Sequence, residues 1–239
     1  HEAEFAVRLA LHFVYNGVDP AKITILTPYQ GQKRKTRELL ANMDRSPGQN
    51  AMECKLLPKW IDDPDNPPNR GKGNGNGGAK GKAGKGAKGK GKGKGNEGRK
   101  FVPGIRCVTI DDYQGEENDI VIVSLVRSNP QDKLGFCKIE NRVIVGLSRA
   151  RCGMFILGDA EGFRTDRNWM RIQNQLEANN RVGDKLNLSC KKHPEDNLLV
   201  SKASDFNNVC KYGGCGRKCD SLLAKCGHKC PLKCHPFDP

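Results

Sequence analysis

VTIDDYQGEENDIVIVSLVRSN, residues 108–129, places two β-branched apolar runs on either side of a polar turn. The first run extends back to Ile105 (IRCVTI, 105–110) and the second is DIVIVSLV (119–126). Runs this continuously apolar predict strands covered on both faces, as in a parallel sheet, rather than half-solvated strands with strict alternation. The turn between them, DDYQGEEN, stands where one strand ends and another begins, a usual place for ligand contacts in a parallel α/β sheet. Gly115 would let backbone N–H groups approach a phosphate closely, and a neighbouring carboxylate could accept hydrogen bonds from a ribose hydroxyl. By themselves these residues describe an acidic β-turn equally well.

The flanking sequence keeps the same rhythm. Residues 2–16 (EAEFAVRLALHFVYN) repeat apolar side chains at helical spacing and stop at Gly17; ITILT (23–27) is a short buried strand. PYQGQKRKTRELLANM then resumes helical spacing to about Met43. Downstream, 141–151 predicts a helix, GMFILGD (153–159) a further buried strand, and 167–179 an amphipathic helix carrying Trp169, Ile172 and Leu176. The fold class expected is α/β: a partial parallel-sheet domain over 1–180, and a small irregular module over 181–239. Residues 45–100 interrupt the first domain, and their Gly-Lys core is expected to be a disordered surface insertion, because it holds no branched apolar or aromatic side chain to bury.

Charge is concentrated in that insertion. The chain carries a net +14, and residues 70–100 hold eleven Lys or Arg against one Glu, so ten of the fourteen charges lie there. The stretch could bind phosphates without sequence preference, or simply be a solvated loop. No signal-like or membrane-spanning apolar run is present. The chain is therefore expected to be a fragment of an intracellular protein, nuclear or cytoplasmic, with no membrane partner.

Eleven cysteines would suit a secreted disulfide framework, but seven of them fall between Cys190 and Cys234, interleaved with His193, His228 and His235. Histidine has no part in a disulfide lattice, whereas Cys and neutral His are the preferred zinc ligands. Cys54, Cys107, Cys137 and Cys152 stand alone and read as reduced thiols. The tail offers Cys190, His193, Cys215, Cys219, Cys226, His228, Cys230, Cys234 and His235, with Cys210 as a tenth candidate; two tetrahedral Zn²⁺ sites require eight. One partition sets Cys190, His193, Cys215 and Cys219 on the first ion and Cys226, His228, Cys230 plus Cys234 or His235 on the second. Spacing leaves this pairing open. All-Cys/His ligation points to structural rather than catalytic metal.

Leu147-Ser148-Arg149-Ala150-Arg151 is the remaining chemical signal. Two arginines two positions apart on a helix point in different directions, so one could neutralise a γ-phosphate during transfer while the other pairs with a carboxylate. A solvated arginine at a helix end is the plainer alternative.

Taken in order, ITILTPYQGQ, VTIDDYQGEENDIVIVSLVRSN and NRVIVGLSRARCGMFILGD resemble the second RecA-like domain of the Upf-like superfamily 1 helicases, over roughly 1–180 without 45–100. The tail CKKHPED…VSKASDF…GGC…CGHKC…CHPFD is similar to that of the NFX-type zinc-finger-containing helicases. The resemblance implies that Gln114, Gly115 and Glu117 contact the nucleotide, with Glu117 on the ribose, and that Arg149 reaches the γ-phosphate. Thr27, Pro28 and Tyr29 would lie near the nucleic-acid path, as would Arg127, Ser128 and Asn129. Ile144 and Gly146 depart from the Asn and Ala common among relatives, and touch no catalytic group.

The resemblance also implies an ATP-dependent RNA helicase, acting on RNA or DNA with ATP and Mg²⁺. It further implies a part in RNA surveillance or small-RNA-directed silencing and heterochromatin formation, beside RNA-silencing proteins such as an RNA-dependent RNA polymerase complex. No GxxxxGK[ST] loop occurs in the sequence, so the fragment alone is expected to hydrolyse no ATP; the pocket would be completed by an upstream domain. A non-hydrolysing scaffold that binds RNA or protein through its zinc tail is the alternative function, and a RING-like ligase platform ranks last because the spacing differs.

Overall fold

The computed structural model describes residues 1–43, 104–126, 134–224 and 226–236. The Gly-Lys segment and Arg127, Ser128 and Asn129 lie outside the described residues.

Helix α1 (Glu2–Tyr15) carries Glu2 and Glu4 in its first turn, where carboxylates suit the positive end of the helix dipole. It ends at Asn16 and Gly17, the latter at φ +90°. Strand β1 (Ile23–Thr27) is buried at all five positions. Helix α2 (Gln30–Met43) follows, then β2 (Arg106–Thr109), a single 3-10 turn at Asp111–Tyr113, and β3 (Asn118–Ser124). Helix α3 (Glu140–Leu147), β4 (Ala150–Leu157), a short α4 (Ala160–Phe163) and α5 (Arg167–Ala178) complete the sheet domain.

The four strands are parallel in the order β2-β1-β3-β4. Alternating side chains divide its core by face. Ile23, Ile25 and Ile122 pack with Phe5, Val7 and Leu9 of α1. Leu26, Val121 and Val123 face the other way, onto Tyr113, Leu134, Phe163 and Trp169. The indole N–H of Trp169 donates to the Cys137 carbonyl at 2.8 Å, which settles the one polar atom of that buried ring.

The helix expected over 141–151 stops at Leu147, and β4 begins three residues later at Ala150. The cause is the sheet: the Asn118 amide donates to the Arg149 carbonyl at 3.0 Å, so the chain enters the parallel ladder there instead of continuing a turn rich in β-branched residues. Arg149 thus lies between helix and strand, and Arg151 on β4.

The cysteine-rich region has more regular structure than its sequence suggests. Strands β5 (Leu186–Ser189) and β6 (Asn197–Val200) form an antiparallel hairpin, followed by α6 (Ala203–Val209). Leu188, Leu198, Val200, Phe206, Cys210, Cys215 and Cys234 belong to the same apolar cluster as Phe5, Leu9 and Ile25. Phe5 and Phe206 meet edge to face with centroids 5.2 Å apart, and the Asn16 side-chain amide donates to the Gly213 carbonyl at 3.1 Å. Among the described residues no helix is long and apolar enough to cross a membrane.

His12 lies at this seam. Burial lowers its pKa from 6.5 to about 4, and among the described residues its Nδ1 has no hydrogen-bond partner. The folded chain therefore holds fewer protons on this ring than the unfolded chain between those two values. Stability contributed by neutral His12 is whole above pH 6.5 and declines as pH falls towards 4, by about 3 kcal/mol in all. Urea titrations of His12→Gln against wild type should show a shallower acid-side slope for the variant; identical slopes would remove this assignment.

Candidate nucleotide, nucleic-acid and metal sites

The register decides which end of the sheet each segment occupies. β1 pairs Thr27 with Thr109 at one end and Ile23 with Ile120 at the other. Residues 110–117 therefore carry the chain from the carboxyl end of β2 back to the amino end of β3. Gln114, Gly115 and Glu117 consequently sit at the amino-terminal edge of β3 and β4. This differs from the carboxyl-edge position expected of a ligand turn, because the connection doubles back instead of ending in a helix. Gly115 adopts φ +78°, a conformation glycine takes without steric cost.

Arg149 is brought to this turn. Its Nε donates to the Val145 carbonyl at 2.9 Å and its Nη1 to the Glu116 carbonyl at 3.3 Å, so the guanidinium is braced between helix end and turn. Arg106 grips the turn from β2, making a bidentate pair with Glu116 whose Nη2–Oε1 distance is 2.8 Å. Arg151 pairs with Asp119 at 2.7 Å and with Glu117 at 3.4 Å. The Arg151 hydrogen bond, with Lys22 second, holds the Asp119 carboxyl below the usual range. The sequence offered no sign of Arg106, whose partner is set by strand pairing.

At the opposite edge Thr27 ends β1 and its hydroxyl accepts from the Tyr29 amide at 3.4 Å. Pro28 and Tyr29 are half-buried. The Tyr29 hydroxyl donates to the Leu134 carbonyl at 3.3 Å, its ring stands 5.9 Å from that of exposed Phe136, and the Arg142 guanidinium covers Phe136 at 4.7 Å. Thr27, Pro28 and Tyr29 thus share a carboxyl edge well separated from Gly115, Glu117 and Arg149.

The tail forms two clusters of candidate metal ligands. Cys190, His193, Cys215 and Cys234 bring four ligand atoms within 4.8 Å of one another. The Cys190 and Cys234 sulfurs are 3.7 Å apart, and His193 Nδ1 is 3.3 Å from Cys215 Sγ and 3.4 Å from Cys234 Sγ. A tetrahedral zinc with bonds of about 2.3 Å to sulfur and about 2.0–2.1 Å to nitrogen sets its ligands about 3.5–3.8 Å apart. These residues fit that ion. Burial pushes the Cys190 thiol up, but bonds from the His193 ring and from the Cys215, His193 and Lys192 amides bring it down to about 7, favouring the thiolate that metal requires.

The second cluster is Cys219, Cys230 and His235, with Cys230 Sγ 3.4 Å from His235 Nε2. Cys234 and Cys219 have therefore exchanged places relative to the partition drawn from spacing. Cys226 and His228 are exposed and join neither group among the described residues. Antiparallel bridges Lys218–Lys233 and Leu222–Lys229 explain the exchange by folding the chain so that Cys219 meets Cys230. Gly214 is the close-packed point: a Cβ there would come 2.4 Å from the Cys234 carbonyl oxygen. Cys210 is buried outside both groups, its thiol raised by burial to about 11, as suits an apolar filler.

The profile of the AAA domain family matches residues 1–161. The chain belongs to this family, as a Upf-like superfamily 1 helicase domain. The helicase domain and its tail together are 37% identical over 238 residues to the mouse "NFX1-type zinc finger-containing protein 1" and 36% identical to the human protein of that name. Each alignment covers 100% of this chain and 9% of the relative, so the chain spans about a tenth of their length. The fission yeast "Helicase required for RNAi-mediated heterochromatin assembly 1" is 32% identical over 160 residues, 67% of this chain and 11% of its own. The helicase family implies ATP and Mg²⁺ as ligands, and the Cys/His clusters of this domain are compatible with Zn²⁺.

Proposed function

We propose that this helicase domain is one half of an ATP-driven RNA motor, with the nucleotide at the amino edge of β3 and β4 and the RNA strand at the carboxyl edge. The observation that carries this reading is the Arg149 guanidinium, braced on the Glu116 carbonyl beside Gly115 and Glu117. In this role Arg149 faces the γ-phosphate, Gly115 and Gln114 border the phosphates, and Glu117, released from Arg151, takes the ribose. The P-loop and the Mg²⁺ carboxylates would come from a second domain across the cleft. Closure of that cleft on ATP would shift the carboxyl edge against the strand, where Thr27, Pro28 and Tyr29 contact its backbone; Arg127, Ser128 and Asn129, outside the described residues, are proposed as further contacts. The tail acts as a zinc-held clasp on α1.

The proposed biology is RNA-directed silencing or RNA surveillance, with RNA-silencing proteins as partners; the name of the fission yeast relative, a helicase required for RNAi-mediated heterochromatin assembly, supports the first. The full-length protein should hydrolyse ATP slowly alone and faster with single-stranded RNA than with DNA of equal length, measured by phosphate release. A turnover indifferent to nucleic acid would sink the motor reading and favour a scaffold.

A further inference from the structure

Phe136 keeps 50% of its surface exposed, and the turn that carries it cannot bring it inward. Gly135–Lys138 is a single 3-10 turn, in which side chains three apart lie on one side. Leu134 and Cys137 therefore share the inner side, at 2% and 4% exposure, and leave Phe136 on the outer one. Cys137 is fixed twice: its carbonyl accepts the Trp169 indole N–H at 2.8 Å, and its thiol donates to the Leu125 carbonyl at 3.5 Å. Burying Phe136 would pull both inner residues out of the core.

The ring is also held in one orientation. The Arg142 guanidinium lies over it at 4.7 Å, and its Nε and Nη2 are themselves fixed on the Asp111 carboxylate at 2.6 and 2.8 Å. The Tyr29 ring stands beside it, tilted by 58°. Tyr29 follows β1, Asp111 follows β2 and Arg142 lies in the first turn of α3, so three segments beyond the carboxyl edge converge on one exposed ring. Lys138, in the same turn, is exposed and makes no ion pair among the described residues. An ordered aromatic face with cations beside it suits a base and its phosphate, the combination by which single-stranded nucleic acid is gripped.

We propose that Phe136 is a stacking platform for one base of a single-stranded nucleic acid. The proposal rests on the assignment of the carboxyl edge to the RNA strand, and adds to the backbone contacts of Thr27, Pro28 and Tyr29 a contact with the flat face of a base. Every base has such a face, so the platform grips without choosing sequence. Because Arg142 presets the ring, little freedom is lost when a base arrives.

The test uses the full-length protein, with Kd from anisotropy for two fluorescein-labelled strands of equal length: an oligouridylate, and the same backbone with abasic sites in place of its bases. Phe136→Ala should raise Kd for the oligouridylate about tenfold or more, as expected for one lost stack. On the abasic strand the same variant should stay within about twofold of wild type, since phosphate contacts alone remain there. Phe136→Trp should bind the oligouridylate at least as tightly as wild type. Phe136→Leu should be nearly as weak as Phe136→Ala, because it keeps apolar area without an aromatic face. An unchanged Kd in Phe136→Ala, an equal loss on both strands, or a Phe136→Leu as tight as wild type would each overturn the proposal, the last assigning Phe136 to apolar docking instead. Photo-crosslinking of a thiouridine-bearing strand separates this from the assignment beneath it. Crosslinks to residues 27–29 with Phe136→Ala unchanged would remove the platform and leave the strand path standing, whereas a bound strand that crosslinks nowhere on the carboxyl edge would sink both.

Discussion

Arg149→Ala in the full-length protein should lower RNA-stimulated ATP turnover by about a thousandfold or more, the range seen when an arginine finger is removed. The expected signature is a collapse of kcat with a much smaller change in KM, because the guanidinium meets charge that develops only in the transition state. The geometry explains why lysine should not substitute. Nε and Nη1 are committed to the carbonyls of Val145 and Glu116, and among the described residues Nη2 makes no hydrogen bond that would compete with a phosphate oxygen. A lysine ammonium is a single point and cannot brace on the turn while reaching outward. Arg149→Lys should therefore be nearly as slow as Arg149→Ala, and a turnover near wild type in either variant would remove Arg149 from the reaction.

Metal removal should have the largest effect on stability. Elemental analysis of the folded protein is expected to give about two zinc ions per chain. A strong chelator should then unfold the tail and destabilise the sheet domain with it, since Cys190, Cys215 and Cys234 stand in one apolar cluster with Phe5, Leu9 and Ile25. Structural zinc contributes on the order of 10 kcal/mol or more in small modules, comparable to the whole stability of a domain. A loss of only part of this should lower the melting temperature by about 10 °C or more, at roughly 2–4 °C per kcal/mol for a domain of this size. Cys234→Ser should lose one ion and reproduce much of that shift, whereas Cys226→Ser, exposed and outside both clusters, should keep both ions. A Cys226→Ser protein that loses metal, beside a Cys234→Ser protein that keeps it, would reverse the ligand assignment.

Much of the sheet was legible because β1 is buried throughout and β3 from Val121 to Ser124, and ITILT and DIVIVSLV announce that in their composition; β4, expected as a buried strand, is instead half-buried to exposed along its length, as the edge of the sheet. The turn at 114–117 and Arg149 were legible as a pair only through the ordered resemblance of three segments. Which edge they occupy was not, since that depends on strand order, and β1 was inserted between β2 and β3 without any local signal. The grouping of the candidate metal ligands was hidden for a similar reason: spacing along the chain favours neighbours, but antiparallel contacts between 217–223 and 228–234 put Cys219 against Cys230 and release Cys234 to Cys190. The hold of Glu2 on the end of β3 was invisible because its partners, Ser124 and Val126, lie 122 and 124 residues away. One of two acidic residues in a helix's first turn, beside Glu4, looks like nothing more than a dipole partner.

The contact between Asn16 and Gly213 spans 197 residues, and it bears on how the polypeptide is born. Helix α1 leaves the ribosome well before the hairpin and the Gly213 segment that cover it. At about 5–20 residues per second the nascent helix waits roughly 10–40 s with its greasy stripe bare. Closure over α1 thus trails its synthesis by the making of those 197 residues, and until then the bare stripe is a surface for chaperones.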